Sequence, residues 1–128
     1  DNNMPKEDLS LHKETILTNK ADKNFKDKVQ LIISKNVGNP DFNIDELASM
    51  LNMGRTKFYG KMKDITGVSP NKYLSDERLR IAAELLIEGE LSVSEISYKV
   101  GIQDSSYFNK RFKAKYGVAP SKYGKNIK

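Results

Sequence analysis

Two stretches of this 128-residue chain carry residue types suited to meeting a polyanion. Residues 54–67 hold Arg55, Lys57, Lys61 and Lys63 against a single acid, Asp64, and residues 105–116 hold Lys110, Arg111, Lys113 and Lys115 against none. At 100° per residue, Phe58, Met62 and Ile65 fall on one stripe of the first stretch, while Thr56, Gly60 and Lys63 lie opposite, flanked by Lys57 and Tyr59. In the second, Phe108 and Phe112 form the inward stripe and Ser106, Asn109, Lys110 and Lys113 face outward. A helix that needed only solubility would mix signs and gain i,i+4 ion pairs. Short polar side chains among unopposed cations suit a nucleic acid instead, the polar groups reaching base edges in a major groove while Lys and Arg meet phosphates. The alternative from another class is a helical protein-interaction module that docks acidic partners on the same faces.

Other chemistry finds little to work with. The chain has no Cys and one His, His12, so thiol catalysis, disulfides and a Cys/His zinc site are excluded, and His12 reads as a solvated side chain. There is no phosphate-cradling Gly motif and no acid pair on an inward face, so neither an enzyme nor a cofactor, metal or small-molecule site is expected. The net charge of +5 is unevenly placed. Residues 1–22 carry three Lys against five acids, whereas residues 23–128 carry 19 basic against 12 acidic residues, giving a body of +7 behind a mildly acidic, polar arm. No apolar run approaches the roughly 18 residues of a membrane span, no signal-peptide pattern opens the chain, and a soluble, cytoplasmic protein is expected. A chain that opens at Asp1 is expected to come from a longer one.

The elements that must hold the basic faces are repeated. FNIDELASMLNMGRTKFYGKMKDITGVSPNKY (42–73) and LSVSEISYKVGIQDSSYFNKRFKAKYGVAPSKY (91–123) share one pattern with one extra residue in the second turn. Glu46 matches Glu95, Leu51 matches Val100, Phe58 matches Phe108 and Met62 matches Phe112, and each copy closes on Gly-Val-x-Pro-x-Lys-Tyr. Each copy predicts a short helix opened by a capping box (Asn43 with Glu46, Ser92 with Glu95), a tight turn, and a longer helix ended by Gly67 or Gly117. Asp104 is a good N-cap for the second long helix and Gly54 a weaker one for the first. Short helix, turn and longer helix make a helix-turn-helix unit, present twice.

Phe25, Val29, Ile32 and Ile33 predict a further helix over 23–36, and Pro70 to Glu88 predicts a long one with Tyr73, Leu74, Ile81, Leu85 and Leu86 inward. The reading is an all-α protein of about seven helices, in which two helix-turn-helix subdomains are joined by a long linker helix. Residues 1–22 form a linker or flexible arm from a preceding domain, 23–69 the first subdomain, 70–89 the linker helix and 90–128 the second subdomain. The linker's 19 residues span roughly 28 Å, near the roughly 34 Å between successive major grooves on one face of DNA. One monomer could thus fill two grooves, and tandem copies predict a non-palindromic site.

ISYKVGIQDSSYFNKRFKAKYGVAPSKY is similar to the C-terminal signature of AraC/XylS-type transcription regulators, and ELASMLNMGRTKFYGKMKDITGVSP with DERLRIAAELL resembles the preceding part of that domain. NPDFNIDELA and LSVSEISY further resemble the output domains of hybrid two-component sensors that control carbohydrate-utilisation genes. The resemblance implies a bacterial, DNA-binding transcription regulator whose partners are promoter DNA, RNA polymerase and receiver and sensor domains on the same chain, the whole protein being anchored in a membrane through its sensor part. It implies base contacts from Arg55, Thr56, Tyr59 and Gly60 in the first recognition helix and from Ser105, Ser106, Asn109 and Lys110 in the second. Phosphate contacts fall to Lys57, Lys61, Lys63, Arg111, Lys113 and Lys122. Gly60 stands where the family often has a long basic residue, and Gly124 where an Arg commonly follows the last Tyr.

Overall fold

The computed structural model describes the backbone of residues 6–127 and the side chains of residues 13–124. Among these residues there are seven helices and no strand: α1 (Lys6–Asn36), α2 (Ile44–Met50), α3 (Arg55–Thr66), α4 (Pro70–Glu88), α5 (Val93–Lys99), α6 (Ser105–Tyr116) and α7 (Pro120–Ile127). The all-α, twice-repeated helix-turn-helix arrangement is as expected. The arm is not: the segment expected to be a linker or flexible arm over 1–22 is helical from Lys6 and continuous with the helix expected over 23–36. Its polarity conceals this, but no Gly or Pro interrupts residues 6–37. Residues 13–21 are exposed, so this part of α1 buries nothing until Phe25. The side chain of His12 lies outside the described residues.

The caps explain where the short helices start. In α5, Ser92 Oγ accepts from the Glu95 N–H at 3.1 Å and Glu95 accepts from the Ser92 N–H at 3.0 Å, a complete capping box. Those hydrogen bonds hold the Glu95 carboxyl below the usual carboxylate range. The box expected at α2 is only half made. Asn43 accepts from the Glu46 N–H at 2.9 Å, but Glu46 takes its return bond from the Asn43 side-chain amide at 3.2 Å. Asp104 accepts from both the Ser106 and Tyr107 N–H groups, whereas Gly54 offers α3 no side-chain cap. Gly67 (φ 77°) and Gly117 (φ 82°) end α3 and α6 in the left-handed region open to glycine. Fully buried Pro70 and Pro120 then open α4 and α7.

Two cores lie side by side. The first joins Phe25, Val29 and Ile33 of α1 to Leu47, Phe58, Met62, Tyr73 and Leu74, and the second joins Leu79, Ala82, Ala83 and Leu86 to Ile96, Val100, Phe108 and Phe112. Helix α4 therefore serves both, its first turns in one core and its later turns in the other. Ile81 and Leu85, expected inside, are only half-buried, and Ala82 and Ala83 take the inner positions. Helix α7 lies against α4 with Gly124 over Leu86, where a Cβ would stand 2.7 Å from the Leu86 carbonyl oxygen.

At the boundary of the two cores sits Arg78, which is buried. It donates to the carbonyls of Val37 (2.5 Å) and Asn39 (3.1 Å) in the loop after α1, and to that of Val100 (2.6 Å), the C-cap of α5. Carbonyls at helix C-termini are partly negative and lack partners, so they receive a guanidinium with five donors well. Burial holds this guanidinium below the ordinary arginine range. The contact also decides the neighbouring residue. Gly101 has φ 78°, and a Cβ there would overlap the Arg78 guanidinium. Asn52, at the equivalent turn of the first unit, takes the same left-handed conformation (φ 56°), which Asn tolerates.

Candidate nucleic-acid interface

Helices α3 and α6 present the residues expected to meet DNA. Their inward stripes are core as predicted: Phe58, Met62, Phe108 and Phe112 are buried and Ile65 half-buried. Thr56, Gly60 and Lys63 are exposed on the opposite face of α3, as are Ser106, Asn109, Lys110 and Lys113 on α6, with Ser105 half-buried at the first helical position. Lys122 is exposed at the start of α7. Asn109 returns its amide N–H to the Ser105 carbonyl at 2.9 Å, so its side chain is held along the helix.

Four of the expected residues are more constrained than a solvated face. Arg55 ion-pairs with Asp45 at 3.6 Å and lies 5.3 Å from the Tyr59 ring centroid, which fixes its direction at the start of α3. Tyr59 is half-buried against the first core, and its hydroxyl accepts from Asn71 at 3.3 Å. It therefore braces α3 against α4 along the edge of the face. Arg111 turns towards α4, half-buried in a cleft with Lys72, Asp76 and Lys115, instead of standing free beside Lys110. Lys61 is drawn to α1, its ammonium 4.4 Å from the Phe25 ring centroid.

Sequence reasoning missed Asp45 and Asn71, which support Arg55 and Tyr59, and Arg78, which ties α4 to a loop of each unit. The first two carried the faint signal of polar residues at helix starts; Arg78 carried none, because its partners are main-chain carbonyls. Gly60 is open: nothing lies within 4 Å of where a Cβ would be. Gly60→Ala is expected to raise the unfolding free energy by about 1 kcal/mol through helix propensity alone. Chemical denaturation reads this directly, and an unchanged or lowered stability would mean that the glycine is needed for its backbone.

Among the described residues no cluster of His, Asp or Glu could hold a metal ion, and no helix is long and apolar enough to cross a membrane. Comparison with known proteins agrees with the geometry. Residues 47–126 match the family described as "Helix-turn-helix domain". The chain is 32% identical over 108 residues, 84% of its length, to histidine kinase P4 of Formosa agariphila, and 33% identical over 110 residues, 86% of its length, to the Msm operon regulatory protein of Streptococcus mutans. It spans 8% of the first and 39% of the second. Among solved structures, the C-terminal domain of the two-component response regulator yesN from Fusobacterium nucleatum superposes with a TM-score of 0.69 at 30% identity, over 79% of this chain and 98% of that one. The DNA-binding domain of AdpA, solved in complex with a target DNA, shares the fold at 23% identity and a TM-score of 0.69, over 77% of this chain and 88% of that one. Two helix-turn-helix units on one linker helix, with these relatives, place the chain in the AraC-type helix-turn-helix family of DNA-binding transcription regulators.

Proposed function

We propose that this chain is the output module of a hybrid two-component regulator and binds double-stranded DNA sequence-specifically, with α3 and α6 in successive major grooves of a non-palindromic site. The observation that carries the reading is the repetition of one feature: each unit ends in a helix whose buried apolar stripe is backed by an outward face of cations and short polar groups, and α4 joins the two. The DNA complex of the AdpA domain supports the same use of this fold, and the kinase relative and the response-regulator domain support an upstream receiver and sensor. Arg55, Thr56, Ser106, Asn109 and Lys110 are the base readers on this reading, with Ser105 at the helix entry and Tyr59 acting as much by holding Arg55 as by contact. Gly60 brings only backbone to the groove. Lys57, Lys61, Lys63, Lys113 and Lys122 meet phosphates, joined by Arg111 if it leaves its cleft. Regulation would then proceed by contact with RNA polymerase in the cytoplasm.

Selection of bound duplexes from a random pool tests this, since it reports motif, spacing and symmetry together. Six phosphate contacts predict that log affinity falls with log salt at a slope of about −5. Asn109→Ala is expected to relax preference at one or two positions at a cost of roughly 1–3 kcal/mol, whereas Lys113→Ala weakens all duplexes alike and lowers the slope by about one. Equal binding of every sequence would overturn the reading and favour a module for acidic proteins.

A further inference from the structure

The flank of α3 that turns towards α1 borders a cleft of about 480 Å³ that the turn between α2 and α3 also lines. Its polar lining is Asn24 and Lys28 from α1, Asn52 from the turn, and Lys57 and Lys61 from α3, over a floor that includes Phe25. No carboxylate lines it, and among the described residues none of the three lysines joins an ion pair. Another basic cleft, between α4 and α6 of the second unit, does hold an acid: it is lined by Lys72, Asp76, Arg111 and Lys115, and Asp76 there pairs with Lys72 at 3.2 Å and lies 3.9 Å from Lys115. Like charges gathered without a counterion repel one another, and a polyanion relieves that repulsion.

We propose that the cleft between α1 and α3 is a docking site for backbone phosphates of one DNA strand, with Lys28 as a contact from outside the helix-turn-helix repeat and Asn24 and Asn52 as amide donors beside it. This rests on the DNA-binding reading above. With α3 in a major groove, the Lys57–Lys61 flank faces one wall of the groove, and α1 stands behind that flank, so the strand lining the wall passes the cleft mouth. Helix α1 then becomes part of the interface, and the contacted phosphates extend beyond those reached by α3 alone.

The test compares Lys28→Gln and Lys28→Glu with Lys26→Gln, an exposed lysine of α1 outside the cleft lining. Affinity for the selected duplex is measured across a salt series, with thermal melting as the check on folding. Lys28→Gln is expected to lower the salt slope by about one, Lys28→Glu to weaken binding further, and both to leave base preference intact, while Lys26→Gln matches the wild type. Phosphate-ethylation interference should lose signals on one strand only. A Lys28→Gln protein with the wild-type slope and interference pattern overturns the proposal while leaving the DNA reading in place. A wild-type chain that binds no duplex at any salt overturns both.

Discussion

Arg78→Met is expected to lower the unfolding free energy by about 3 kcal/mol and the melting temperature by roughly 10 °C, although methionine retains the apolar stem. The guanidinium supplies donors to three carbonyls, of Val37, Asn39 and Val100, and the Val100 bond is buried. Losing one partner of a buried hydrogen bond leaves the other without water or protein, which costs about 1–3 kcal/mol per group. Arg78→Lys should recover only part of the loss, because a single ammonium lacks the planar fork that reaches acceptors on both sides. A second result separates this role from general stability. Arg78 ties the loop after α1 to the end of α5, so at a temperature where the variant remains folded its discrimination against operators with one added base pair between half-sites should weaken. Thermal melting and a set of spacing variants check the two halves. A variant as stable as wild type, with unchanged spacing preference, would show that the carbonyls find other partners.

Phe112→Ala should cost about 3–5 kcal/mol, and unevenly along the chain. The ring is fully buried, with its centroid 5.8 Å from that of Phe108, 4.6 Å from Tyr116 and 5.2 Å from Tyr123, so its loss opens the middle of the second core. The two cores have no buried residue in common; α4, Arg78 and Val37, which packs against the second core, link them. Amide exchange should therefore accelerate strongly in α5, α6 and α7 and much less in α1, α2 and α3. Uniform acceleration would mean that the two cores open as one.

Much of this architecture could be read beforehand because it is written in local rules. The repeat exposed both helix-turn-helix units, Ser92, Glu95 and Asp104 marked helix starts, Gly67 and Gly117 marked helix ends, and the spacing of Phe58 with Met62 and Phe108 with Phe112 separated core from outward face. What escaped depends on partners distant in the chain. Arg78, between Glu77 and Leu79, looks like an exposed charge on α4, and only the return of the loop at Val37 and the turn at Val100 makes it internal. The reach of Arg111 towards α4 and the bracing of Tyr59 by Asn71 are tertiary in the same sense. Gly124, which stands where the resembled family commonly has an Arg, has a tertiary reason too: α7 needs the absence of a Cβ there to lie against Leu86. The polar start of α1 reads as an arm because composition reports burial, whereas the absence of helix breakers reports backbone conformation.

That helix has a consequence in angular phase. With 31 residues it is about 46 Å long, and its stretch over 13–21 is helical and exposed. Each residue inserted there turns whatever precedes it by 100° about the helix axis and moves it 1.5 Å away, while seven residues restore the original facing to within about 20°. In a longer chain of the kind proposed above, the stretch would work as a dial as much as a spacer, setting which side of an upstream part faces the DNA-binding body and keeping that facing only when its length changes in steps of two turns.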